Sequence, residues 1–143
     1  MTRFLADVNF LIAILDIKHE HSEQASSWLK NAGERHSIVI CRVAQMGAIR
    51  LLTKQSIMGA GVLTGAEAWG YLNTLFKDDR FVFGSEPVSF ESSWQTICEW
   101  TPKGSSAETG SYLAAFAIAG NLTMVTFDGG MTRFPGLKVE TPC

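Results

Sequence analysis

The run Phe4-Leu5-Ala6-Asp7-Val8-Asn9-Phe10-Leu11-Ile12-Ala13-Ile14-Leu15 constrains the fold more than any other stretch of the chain. It opens as a short apolar segment of strand length. After Asn9 the spacing changes, and Phe10, Leu11, Ile14 and Leu15 fall on one face of a helix. The pattern predicts a strand ending at Asp7 and a helix from Asn9 to about Asp16, with Asn9 able to cap it. Asp7 stands at the switch, so its carboxylate should emerge at the C-terminal edge of a sheet, where open α/β sheets bind ligands. The plain alternative makes Asp7 a turn residue. Against it, an acid inside so apolar a run costs stability unless something pairs with it.

The rest of the chain repeats the alternation. A helix over Ser22 to Asn31 should bury Ala25, Trp28, Leu29 and Ala32, with Gly33 closing it and a β-branched strand at Ser37 to Cys41 following. Val43 to Leu52 carries a narrow stripe of Ala44, Gly47, Ala48, Leu51 and Leu52, suited to close helix packing. Gly59-Ala60-Gly61 reads as a flexible break. Thr64-Gly65-Ala66-Glu67 reads as a capping box for a helix facing inward with Ala68, Trp69, Leu72, Leu75 and Phe76. Arg80 to Phe83 is a third strand, and Pro87 begins a helix that turns Phe90, Trp94, Ile97 and Cys98 inward. After a loop at Thr101 to Ser106, a small-residue helix near Thr109 to Gly120 leads to a fourth strand at Leu122 to Thr126. Leu137 to Val139 reads as an edge strand. Strands alternating with helices predict an α/β domain with a mostly parallel sheet of four or five strands flanked by helices on both faces.

Composition narrows the classes. With 143 residues, 46% hydrophobic and 18% charged, the chain fits one globular domain over 1–143 with a real core. No apolar run reaches membrane-spanning length and no secretory signal is expected. Cys41, Cys98 and Cys143 have neither metal spacing nor an even count, which points to a reducing cytoplasm and to thiols serving as apolar fillers. A net charge of −2 argues against a protein that coats nucleic acid generally. It leaves room for a nuclease, whose acids sit in the site and whose basic residues form a local rim.

Asp7 and Asp128 end the first and fourth strands, so on a parallel sheet they emerge at one edge and meet if those strands are neighbours. Thr126 precedes Asp128 by two, and its hydroxyl on the same side can hold a carboxylate or a water. Gathered carboxylates repel unless a cation is present. Hard oxygen ligands suit Mg²⁺ or Mn²⁺, which activate water and neutralise charge in phosphodiester hydrolysis.

Five motifs in order give the chain a family resemblance. Leu5-Ala6-Asp7-Val8-Asn9-Phe10 has an opening Asp-x-Asn, and His19-Glu20-His21 precedes Ala25 and Trp28. Gln45-Met46-Gly47-Ala48-Ile49-Arg50 follows, then Tyr112 to Ala117 and Met124-Val125-Thr126-Phe127-Asp128. Over nearly its whole length the chain resembles the PIN domain, and within it the VapC toxins of toxin–antitoxin pairs. The resemblance implies a three-layer α/β/α domain and a magnesium-dependent endoribonuclease, usually dimeric and inhibited by a VapB-like antitoxin. Carried over by position, Asp7 is a metal ligand, Asn9 its neighbour, and Thr126 and Asp128 the opposite wall. Two acids of the family pattern are missing: Gln45 stands at one place and Gly110 at the other, with Glu108 two residues off. The depleted set implies weaker metal binding, and it admits a non-catalytic module that binds antitoxin or RNA without hydrolysis.

Other residues carry paired readings. Arg42, Arg50 and Lys54 suit RNA phosphates or a solvated helix face. His19 and His21 suit a metal or a solvated helix start. The four tryptophans suit core and dimer contacts, and Gly129-Gly130 a plain turn or an approach to phosphate. An unrelated doubly wound domain binding a small phosphate ligand lacks the glycine-rich loop it needs after strand one.

Overall fold

In the computed structural model, which describes residues 2–34, 36–104 and 107–143, the described residues form five strands and seven α-helices. Strand β1 (Arg3–Ala6) leads through α1 (Val8–Leu15) and α2 (Ser22–Ala32) to β2 (Ser37–Ile40). Next, α3 (Arg42–Leu52), a short α4 (Gln55–Met58) and α5 (Gly65–Leu75) precede β3 (Phe81–Phe83). The return passes through α6 (Phe90–Cys98) and α7 (Glu108–Ala119) to β4 (Thr123–Val125), followed by β5 (Lys138–Glu140).

All neighbours are parallel, in the order β3-β2-β1-β4-β5. The chain winds outward from β1 to β3, then crosses back to the other side of β1. With right-handed crossovers, reversing direction moves the helices to the other face of the sheet. The contacts divide that way: α1 packs on α2 and α3, and α3 on α5, while α6 and α7 pack on each other. The result is the expected α/β/α sandwich, with its topological switch point between β1 and β4.

Local chemistry explains the elements. The central strands are buried on both faces, with Leu5, Ala6, Ile38, Ile40, Met124 and Val125 all fully enclosed. Helix α7 sits nearly all inside, Ser111 through Ala117 being buried. The capping box at α5 forms with both halves present: Glu67 N–H donates to Thr64 Oγ1, and Thr64 N–H donates to Glu67 Oε1.

Several expectations need correction. Asp7, not Asn9, caps α1, which places Asn9 inside the helix. Gly59–Gly61 forms a 3-10 turn after α4 rather than a loose break. Trp69 is 41% exposed because it lies off the Ala68, Leu72, Leu75 stripe, and Cys98 is exposed at the end of α6. Cys41 occupies the position just before α3 instead of extending β2. Trp94 is only half-buried, whereas Trp100 is exposed. Of the predicted loop at Thr101 to Ser106, Ser105 and Ser106 lie outside the described residues.

Candidate active site

Register fixes the centre of the site. Ala6 pairs with Val125, so the next residues, Asp7 and Thr126, leave neighbouring strands side by side. Asp7 N–H still donates to Val125 O at 3.1 Å. Its carboxylate then turns back on the first turn of α1, where Oδ1 accepts Val8 N–H at 2.7 Å. The other oxygen, Oδ2, accepts the Thr126 hydroxyl at 2.6 Å. Thr126 is fully buried and Asp7 8% exposed, so the hydroxyl is the main local answer to the cost of enclosing an acid.

Asn9 ties the two strand ends together. Its Nδ2 donates to Thr126 Oγ1 at 3.1 Å, and its Oδ1 accepts Phe127 N–H at 3.0 Å. Asp128 N–H donates to the same threonine oxygen at 3.0 Å. One hydroxyl therefore serves Asp7, Asn9 and the backbone of Asp128. Asp128 caps a 3-10 turn (Gly129–Arg133) through Gly130 N–H at 2.9 Å, which is the plain-turn reading of the double glycine.

Burial pushes the Asp7 carboxyl above the ordinary aspartate range. The Thr126 and Val8 hydrogen bonds oppose that rise, and the charge of Asp128 adds to it. Burial likewise pushes the Cys41 thiol up, which suits a structural filler rather than a nucleophile.

Asp7, Asn9 and Asp128 line one cleft of about 740 Å³, walled by Val43, Met46, Gly47 and Arg50 of α3 and by Thr109, Gly110 and Leu113 of α7. The two aspartates thus converge as their strand positions require. Of the three basic candidates, Arg50 lines the cleft, whereas Lys54 is exposed and precedes α4 outside the cleft lining. Arg42 lies over the Phe83 ring at 4.7 Å and lines a neighbouring groove with Glu86 and Tyr112. Gln45 is buried, accepts Arg42 Nη1–H at 2.8 Å, and does not line the main cleft. The His21 ring stacks flat on Phe127 at 4.4 Å, and the His21 backbone N–H donates to His19 Nδ1 at 3.0 Å, just ahead of α2.

The donor set tests the cation that the resemblance implies. Among the described residues no group of three His, Cys, Asp or Glu side chains comes together. Each Asp7 oxygen accepts one hydrogen bond and keeps a lone pair, and Asp128 is exposed, its Oδ2 accepting no hydrogen bond from the described residues. Mg²⁺ is commonly held by one or two carboxylates with the remaining sphere filled by water. Two hard carboxylates on one cleft fit that ion, with less negative charge than a fuller set.

The fold is that of a PIN-like α/β/α domain. No family model matches the chain. Ribonuclease VapC41 of Mycobacterium tuberculosis is 32% identical over 140 residues, covering 95% of this chain and 96% of the relative. The structure of VapBC2 from Rickettsia felis, bound to a DNA fragment from their promoter, superposes with a TM-score of 0.77 at 15% identity, covering 99% and 100% of the two chains. VapC20 of M. tuberculosis, a sarcin-ricin loop cleaving toxin, superposes with a TM-score of 0.69 at 9% identity over 94% and 98%. The chain belongs to the VapC ribonuclease family. No helix among the described residues is long and apolar enough to cross a membrane.

Proposed function

We propose that this chain is a toxin endoribonuclease that cleaves RNA phosphodiester bonds with Mg²⁺ or Mn²⁺ held between Asp7 and Asp128. The observation that carries the reading is the cleft they share at the switch point between β1 and β4, in a chain of the VapC ribonuclease family. Bound there, the cation would supply charge neutralisation at the scissile phosphate and a water of lowered pKa.

The protein's own groups do the positioning. Thr126 Oγ1–H holds Asp7 Oδ2 in place, leaving its remaining lone pairs for a ligand. Asn9 Oδ1 fixes Phe127 N–H and so sets the direction in which Asp128 leaves the strand. Arg50 puts a cation on the α3 wall where a backbone phosphate passes. The family likeness adds a VapB-like antitoxin as protein partner and a homodimer in solution.

Gln45 and Gly110 favour a second reading, a module that binds RNA or antitoxin without hydrolysis. Cleavage of total cellular RNA in Mn²⁺, Mg²⁺ or EDTA, by this chain and by Asp7→Ala, separates the two. The expected result is metal-dependent cleavage lost in Asp7→Ala. Equal inertness of both proteins would discard the enzyme reading, and equal activity of both in EDTA would discard the site.

A further inference from the structure

Gly110 sits in the third position of α7, on the wall of the cleft opposite α3. Having no side chain, it leaves an indentation there. A Cβ at this position would lie 3.6 Å from Arg133 Nη2, 3.8 Å from Met131 Sδ and 4.0 Å from Phe134 Cε2. All three are ordinary contact distances, so the space accepts a methyl-sized group without clash. The nearest of the three is a guanidinium nitrogen.

That guanidinium belongs to an exposed residue but has local partners. Arg133 Nη1 donates to Gly130 O at 2.6 Å, and the group lies over the Phe134 ring at 4.3 Å, itself buried. Gly130 makes this possible, because a Cβ there would crowd Arg133 Nη1 at 3.1 Å and Asp128 Oδ1 at 3.0 Å. Arg133 and Asp128 therefore flank the same glycine. Among the described residues no carboxylate lies within salt-bridge distance of Arg133. A positive charge is thus fixed beside a negative one, with Nη2 turned to the indentation in the cleft wall.

We infer that Arg133 is a substrate-binding residue: it holds a phosphate of the RNA backbone at the cleft wall beside Gly110, where no side chain stands between the guanidinium and the cleft. The inference rests on the cleft being the RNA site. A planar guanidinium donates two parallel hydrogen bonds to phosphate oxygens, and one of its nitrogens is already spent on Gly130 O, which fixes its orientation. The inference also says what an acid at position 110 would do. A carboxylate there would reach Arg133 before any phosphate and occupy its free donors.

The test is binding of a fluorescently labelled single-stranded RNA of mixed sequence, in EDTA and in Ca²⁺, across a salt series. Arg133→Gln should weaken binding about tenfold. The slope of log affinity against log salt should become shallower by about 0.7, the loss of one phosphate contact on a single strand. Arg133→Lys should keep the slope and recover part of the affinity, which a merely structural arginine would not do. Gly110→Asp should also weaken binding, and adding Arg133→Gln to it should cost little more. Unchanged affinity and slope in Arg133→Gln would overturn the inference, as would additive losses in the double variant or no RNA binding at all. Binding that meets these expectations without any cleavage would support Arg133 while discarding the hydrolase reading.

Discussion

Replacing Thr126 with valine removes one hydroxyl and almost no volume, so it isolates the hydrogen-bond centre of the site. That oxygen donates to Asp7 Oδ2 at 2.6 Å and accepts from Asn9 Nδ2 and Asp128 N–H. Asn9 is half-buried and Asp128 exposed, so water can partly replace what they lose. Asp7 is enclosed and has no such recourse. A hydrogen bond to a charged group contributes about 1.5–3 kcal/mol, and the two neutral bonds about 1 kcal/mol at most between them once water compensates. The expected loss at neutral pH is therefore about 3 kcal/mol, against a total of roughly 7–20 kcal/mol for a chain of 143 residues. The loss should also depend on pH. The Thr126 bond opposes the rise of the Asp7 pKa caused by burial, so its removal lets that pKa climb further. A bond favouring the carboxylate contributes most above the Asp7 pKa and fades as the acid is protonated. Urea denaturation from pH 3.5 to 8 should show the deficit growing with pH at constant m-value. Thr126→Ser, which keeps the hydroxyl, should lose about 1 kcal/mol for the methyl with no such trend. A valine deficit below about 1 kcal/mol, or one flat across that range, would refute the hydroxyl as the support of the buried acid.

Asp7→Asn tests the acid itself. A carboxyl whose folded pKa is raised contributes stability fully present below the unfolded value of 3.8 and lost as pH rises through the folded one. Asparagine carries no charge to enclose, so in EDTA the variant should be the more stable protein at pH 8, with the gap closing toward pH 3.5. Mn²⁺ should raise the melting temperature of the wild type alone, and a variant less stable at pH 8 would contradict the burial argument. At Gly47 a Cβ would lie 2.7 Å from Val8 Cγ2 and 3.2 Å from Cγ1, and valine has little rotamer freedom in a helix. Gly47→Ala should therefore lose about 1–3 kcal/mol to overpacking, less the helix-propensity gain. Gly70→Ala, on the exposed side of α5 with nothing within 4 Å, should gain about 0.5–1 kcal/mol. Chemical denaturation of the pair gives opposite signs; equal signs would undo the close-packing account.

What was legible in the sequence is what depends on neighbours along the chain. The change of period after Asn9 placed the strand-to-helix switch near Asp7, which lies just past the end of β1 and caps α1, and the Thr64–Glu67 spacing located a capping box that forms with both halves. The alternation of strands and helices gave the layered fold. Strand order is a different kind of fact. Nothing local says that β4 lies beside β1, yet the meeting of Asp7, Thr126 and Asp128 depends on it. Capping failed for a related reason. Asp7 and Asn9 both have the chemistry of an N-cap, and the winner is set by Thr126 and Phe127, which hold the Asn9 side chain from far along the chain. Arg133 gave no signal of its own, since its place behind the Gly110 wall depends on Phe134 beneath it and on Gly110 beside it. Trp69 misled because an apolar residue beside a buried stripe looks in sequence like part of it.

The missing acids change the balance between folding and ligand binding. A site with several carboxylates at close range stores repulsion that only a cation relieves, so its affinity for metal and its instability without metal share one cause. Here Gln45 is neutral and occupied with Arg42, while the place at Gly110 faces a guanidinium instead of contributing charge. Asp7 then feels one like charge, from Asp128, and its raised pKa is owed first to burial. The rise in melting temperature that Mg²⁺ or Mn²⁺ gives the metal-free wild type should accordingly be small. Gly110→Asp need not restore strong binding either, because Arg133 stands where the new carboxylate would point. Removing that arginine together with the substitution is what should return the affinity for metal, and a calorimetric titration of Mn²⁺ into Gly110→Asp, with and without Arg133→Gln, reads the coupling directly. If the two substitutions changed metal affinity independently, the guanidinium and the place at 110 would not share the space that the geometry gives them.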